Sequence, residues 1–119
     1  MERGPTGDPA TALGVVVCPH FHAAVELVGR RWAGAILFSL IEGPRFFRDL
    51  AATVPGISDR LLSQRLRELE AEDLVEREVH QGPPARVSYR LSETGMRLEP
   101  ALRELYDWAQ RRHANGNGR

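Results

Sequence analysis

From residue 20 to residue 74, apolar residues recur at three- and four-residue steps. They then alternate with polar ones, and afterwards return to helical spacing. Pro19 suits the first position of a helix, with Cys18 as its cap. The pattern predicts that helix over 20–28, with Phe21, Val25 and Val28 on one side and Gly29 at its end. A second helix, over 31–41, is apolar on most sides (Trp32, Ile36, Leu37, Leu40, Ile41) and is expected to be the central one. Gly43-Pro44 stops it. A third spans 46–53, with Phe46, Leu50 and Val54 at four-residue steps, and Pro55-Gly56 closes it. The fourth has Ser58 as N-cap and Asp59 in its first turn. Leu62, Leu66 and Leu69 form its apolar stripe, with Leu61 beside it. Arg60, Gln64 and Arg67 stand opposite, with Ser63 at the edge.

After Leu74 the period falls to two. Val75 and Val79 alternate with Glu76 and Glu78; Val87, Tyr89 and Leu91 alternate with Arg86, Ser88 and Arg90. The turn-forming stretch 81–85 between them makes a β-hairpin. Ser92 then caps a last helix that runs to about residue 112. Its face carries Leu98, Leu102, Leu105 and Ala109, and Pro100 should kink or interrupt it. Residues 1–12 read as a flexible arm, 13–112 as one domain and 113–119 as a flexible polar tail. Three helices, a polar-faced helix and a hairpin are the order of a winged helix-turn-helix. The expected class is mainly α with a small β-hairpin wing (α+β).

Composition narrows the function. A chain of 119 residues, 42% apolar, builds one core without staples. Sixteen basic and sixteen acidic residues give a formal net charge of zero, and every basic residue is arginine. That sum argues against a polybasic binder or a membrane-surface protein, but nucleic-acid binding responds to local patches. The absence of lysine reads as compositional bias. Charge is also segregated along the chain. Residues 58–67 hold three arginines against one aspartate, and 79–91 hold two arginines and no acid. The intervening 68–78 hold six acids against one arginine. A solvated helix face alone would explain the exposed polar residues; this segregation favours double-stranded DNA as partner. Arg60 and Arg67 suit guanine edges or phosphates, Gln64 suits adenine, and Ser58 and Ser63 suit phosphates. Arg86, Gln81, His80 and Arg90 are expected to serve the wing, and Arg45 and Arg48 to clamp phosphates at the start of the third helix.

Other chemistry finds little support. A lone cysteine excludes an intramolecular disulfide or multi-cysteine zinc site and fits a reducing compartment. Cys18, His20 and His22 crowd one helix start, where residues 20 and 22 diverge by about 200°, so no metal and no cofactor are expected. No phosphate loop, nucleophile elbow or paired carboxylates point to an enzyme. The longest apolar stretch, 32–41, is half a membrane span, and the N-terminus lacks signal-peptide order, so a cytoplasmic location is expected.

The chain also resembles the HxlR-type transcriptional regulators over about residues 18–110. The resemblance rests on Cys18-Pro19, Val28-Gly29-Arg30-Arg31-Trp32, Ile36-Leu37, Gly43 and Arg45-Phe46-Phe47-Arg48-Asp49-Leu50. It continues through Pro55-Gly56-Ile57-Ser58, Leu62, Gln64-Arg65-Leu66-Arg67-Glu68-Leu69-Glu70 and Leu74-Val75-Glu76-Arg77. Pro83, Tyr89-Arg90-Leu91-Ser92, Gly95 and Trp108 complete it. Arg31 stands where the family usually has lysine, and Asp73 where it usually has glycine, so the exit from the recognition helix is expected to differ slightly. The resemblance implies a homodimer through the N-terminal segment (Val16) and the last helix (Leu98, Leu102, Leu105, Trp108, Ala109), bound to an inverted-repeat operator, with repression favoured. It also marks Cys18 as a candidate sensor of oxidants or electrophiles; a helix start beside imidazoles favours the nucleophilic thiolate. Two other readings compete. One is a small-molecule effector in an apolar pocket of Phe21, Trp32, Phe38, Tyr106 and Trp108, with Cys18 inert. The other is a winged helix used for protein contacts, which an acidic or apolar face at 60, 64 and 67 would favour; the face is neither.

Overall fold

Leu62, Leu66 and Leu69, one stripe of a helix, are almost wholly removed from water, as are Ile36, Leu37, Leu40, Leu50 and Val54. Full burial of each such side chain is worth about 1.5–3 kcal/mol, so these few positions dominate the core. The computed structural model describes residues 16–117. The chain divides into two compact units, Met1–Arg30 and Arg31–Arg119. The arm expected over 1–12 lies outside the described residues. The first unit holds α1 (Pro19–Gly29), with Cys18 as N-cap and Pro19 in the first turn. Phe21 and Val25 are exposed on it.

The second unit begins with α2 (Ala33–Ser39), shorter at both ends than the 31–41 expected. Trp32 is left-handed, with φ 76°, and cannot be a helical residue. At the other end Leu40 and Ile41 donate to Leu37 and Phe38, three residues back, which tightens the helix into a turn. Strand β1 (Arg45–Phe46) precedes α3 (Phe47–Thr53), so Phe46 is a strand residue rather than the first residue of the third helix. A two-residue strand has too little alternation to be seen in a pattern; pairing with a partner strand creates it.

Helix α4 (Asp59–Ala71) starts where Ser58 accepts a hydrogen bond from the Leu61 amide at 3.1 Å. It ends in a complete Schellman motif: the Asp73 amide donates to Glu70 and the Leu74 amide to Leu69, each at 2.9 Å. That motif needs a left-handed residue, and Asp73 supplies it with φ 61°, as aspartate tolerates better than most. The departure from glycine thus leaves the helix exit in its usual geometry.

Strands β2 (Val75–His80) and β3 (Arg86–Leu91) pair antiparallel from Val75↔Leu91 to His80↔Arg86. β1 adds to the other side of β3 through Arg45↔Tyr89 and Phe46↔Ser88. The wing is therefore a three-stranded sheet, ordered β1-β3-β2. Cross-strand partners share a face. Val75, Tyr89 and Leu91 lie on the buried face, while Phe46, Glu78, His80, Arg86 and Ser88 share the other.

The last helix is interrupted, as Pro100 implied. It forms α5 (Glu93–Met96) and α6 (Glu99–Arg112), with Pro100 in the first turn of α6. Ser92 accepts from the Gly95 amide at 3.0 Å and donates to the Asp73 carbonyl at 2.6 Å. Gly95 is buried against Leu74, whose carbonyl leaves no room for a Cβ. Residues His113–Asn117 continue as a π-helical turn where a polar tail is expected. Among the described residues no helix is long and apolar enough to cross a membrane.

Candidate nucleic-acid interface

The turn between α3 and α4 sets the recognition helix in place. Gly56 has φ +95°, a conformation that side chains rarely adopt, and the Trp32 ring lies against it: a Cβ there would meet Cη2 at 3.4 Å. Arg65, half-buried on α4, donates from Nε to the Arg31 carbonyl at 2.9 Å and pairs with Glu68 at 3.2 Å. Trp32, Arg31 and Arg65 therefore tie the recognition helix to the segment that precedes α2. Arg65 thus leaves the count of arginines available to a ligand.

The opposite face of α4 is open. Arg60, Gln64 and Arg67 are exposed, and Ser63 is half-buried at the edge. Arg60 and Arg67 make no hydrogen bond or ion pair among the described residues. Gln64 reaches only Glu68, at a long 3.4 Å. Ser58 uses an oxygen lone pair for its cap, which leaves its proton free to donate. Two guanidinium groups and an amide on one helix face match the donor and acceptor pattern of a major groove.

On the wing, Gln81 and Arg86 are exposed near the tip. Cζ of Arg86 lies over the Phe46 ring, 3.6 Å from its centroid, and His80 meets the same ring edge-on at 5.3 Å. His80 also hydrogen-bonds Ser88 at 2.8 Å. Arg90 is exposed on the same strand and sheet face as Arg86. It lies four residues along the strand from Arg86, about 13 Å at strand rise, and is held by Glu76 through Nε and Nη2, both at 2.9 Å. That pair neutralises it away from the wing tip. Arg45 likewise directs its Nε into the protein, to the Ser39 carbonyl at 2.6 Å, which ties β1 to the end of α2. Arg48 is exposed at the start of α3 and lines a cleft of about 810 Å³ that Arg86 also lines. The sequence pattern missed Phe46 as a wing residue, because its spacing to Leu50 reads equally well as a helix face.

The residues assigned to a subunit interface also separate. Leu102 is buried within its own unit and Leu98 half-buried, whereas Leu105, Trp108 and Ala109 on α6 are exposed. Val16 and Cys18, in the other unit, are exposed. Tyr106 stacks on Phe38 at 4.8 Å, so these two aromatics fill their space with each other. Arg103 joins α6 to Glu42, and its hydrogen bonds to Glu99 and Glu42 raise its already high pKa. No group of three or more metal-ligating side chains converges among the described residues.

Comparison with known proteins agrees with this geometry. A family model described as HxlR-like helix-turn-helix matches residues 27–116. The HTH-type transcriptional regulator YodB of Bacillus subtilis is 39% identical over 97 residues, covering 82% of this chain and 87% of YodB. The crystal structure of quinone-bound YodB is 37% identical with a TM-score of 0.66, covering 80% of this chain and 99% of that one. The redox regulator HypR in its reduced form gives a TM-score of 0.77 at 30% identity, covering 84% of this chain and 99% of HypR.

Proposed function

We propose that this chain, which belongs to the HxlR-like helix-turn-helix family of DNA-binding transcriptional regulators, represses transcription by binding an inverted-repeat operator as a homodimer. The observation that carries the reading is the open face of α4, where Arg60, Gln64 and Arg67 stand exposed beside a wing that presents Arg86. Arg60, Ser63, Gln64 and Arg67 read the major groove, Ser58 and Arg48 hold phosphates, and Arg86 and Gln81 contact the flanking DNA. Arg45 and Arg90 contribute through the fold that supports the wing. Each unit offers exposed apolar residues to a second copy: Leu105 and Trp108 on α6 in one, Val16 and Phe21 in the other. A two-fold dimer presents two recognition helices to successive major grooves. Occupying a promoter is sufficient for repression.

Selecting duplexes from a random library with the purified protein, then footprinting the winner, tests the reading. Protection of two half-sites related by two-fold symmetry is expected; asymmetric protection of a single site overturns the dimeric operator.

Cys18 is the sensor in this proposal. Its thiol is free and exposed at the start of α1. Support comes from HypR, named a redox regulator, and from YodB, whose structure binds quinone. With no second cysteine in the chain, oxidation yields an intersubunit or mixed disulfide, and a quinone yields a thioether adduct. Oxidant or quinone is expected to release wild type from the selected duplex and to leave Cys18→Ser bound. Equal release of both proteins removes Cys18 from the mechanism.

A further inference from the structure

Arg86 shares its cleft with two carboxylates and pairs with neither. The cleft runs between the wing and the starts of α3 and α4, and Arg48, Asp49, Asp59 and Arg86 all line it. Its charges therefore balance. Carboxylates attract a guanidinium that shares their cleft, because a charge-assisted hydrogen bond is stronger than a neutral one. Yet Arg86 makes no hydrogen bond or ion pair among the described residues. It lies over the Phe46 ring at 3.6 Å instead.

We infer that Phe46 is the positioning residue of the wing: it holds the Arg86 guanidinium away from Asp49 and Asp59 and presents its free edge to a DNA backbone phosphate that enters the cleft. The proposal rests on the DNA-binding reading and deepens it. Stacking on a ring occupies the flat face of a guanidinium and leaves its N–H donors, which lie in the plane, unused. Those donors suit a phosphate. Arg48, exposed and unpaired on the α3 side of the same cleft, supplies the second cation. The backbone explains why the ring stays in place. Phe46 is paired with Ser88 on β3, one alternation from Arg86 on the same sheet face, and His80 braces the ring edge-on. Phe46 also immediately precedes α3. The helix-turn-helix and the wing arginine are thereby joined through a single side chain.

The test is a double-mutant cycle on a duplex selected by the wild-type protein, with affinity measured across a range of salt. Arg86→Ala is expected to weaken binding and to flatten the slope of log affinity against log salt by about one phosphate contact. Phe46→Leu, which keeps an apolar side chain of similar bulk, is expected to weaken binding about 3- to 10-fold at an unchanged thermal midpoint, and Phe46→Tyr to restore most of it. In the Arg86→Ala background, Phe46→Leu is expected to change affinity less than 2-fold. An equal loss in both backgrounds shows that Phe46 acts only through the fold and overturns the inference. So does an Arg86→Ala protein that binds as wild type does to a duplex that Arg67→Ala no longer holds; that result leaves the DNA-binding reading standing. Failure of the wild-type protein to select any duplex removes that reading itself.

Discussion

Among the arginines of α4 and the wing, partners separate those held within the fold from those left open, and the open ones are the DNA readers proposed above. Arg65 donates to the Arg31 carbonyl and pairs with Glu68, Arg45 donates to Ser39, and Arg90 is held by Glu76. Arg60 and Arg67 have no such partner among the described residues. Opposite mutational signatures follow for two arginines on one helix. Arg67→Ala should weaken binding to a selected duplex by about 5- to 150-fold, the 1–3 kcal/mol of a base contact. Its thermal midpoint should stay unchanged, because an exposed side chain without partners contributes within about 0.5 kcal/mol. Arg65→Ala should instead lower the midpoint, since it leaves the Arg31 carbonyl without its donor and removes a part-buried pair. Thermal melts alongside titrations of the same duplex check both. Loss of stability in Arg67→Ala would contradict the division.

At the scale of elements, the exit from the recognition helix, the start of β2 and the start of α5 are locked at one point. Ser92 caps α5 and bonds the Asp73 carbonyl, the Ser92 amide donates to the Leu74 carbonyl at 2.9 Å, and Gly95 packs against that same carbonyl. A methyl group at Gly95 collides with backbone, which cannot rotate aside as a side chain tip can. Gly95→Ala should therefore cost about 1–3 kcal/mol, the usual penalty of overpacking, or a midpoint lower by roughly 4–8 °C for each kcal/mol in a domain of this size. A melt within a degree of wild type would show that α5 moves freely away from Leu74. The residue is a glycine for want of space, since it is not among those with positive φ.

At the scale of the whole molecule, zero net charge is a sum over unlike parts. The stretches 58–67 and 79–91 are basic, the stretch 68–78 between them is acidic, and the cleft between the wing and the start of α4 is balanced. Such a surface attracts DNA weakly through bulk charge and leaves the discrimination to groove contacts. The second copy proposed above is the other whole-molecule feature. Leu105 and Trp108 are each more than half exposed on α6, an arrangement that water disfavours unless something covers it. Leu105→Glu should convert the dimer to a monomer in size-exclusion chromatography with light scattering and should abolish two-site footprints, at little cost to the melt of the isolated subunit. A monomeric wild-type protein at micromolar concentration would remove this element of the proposal.

The chain by itself determined the order of elements apart from β1, the winged-helix class, the buried stripe of α4, its Ser58 cap and the break at Pro100. Each of these is written in local spacing, and each buried leucine of α4 is where its helical period puts it. Partnership is not local. Nothing in the spacing of Phe46, Leu50 and Val54 distinguishes a helix start from a strand; that came from pairing with Ser88, forty-two positions away. Helical period sets Arg67 but not Arg65 on the polar face of α4, whereas nothing local separates Arg86 from Arg90, which share a strand face. Only the tertiary structure decided which guanidinium groups point into the protein, because a hydrogen bond depends on where an acceptor lies in space. The recognition helix was legible in the sequence. The ring that holds the wing arginine became visible only when β1 closed the sheet.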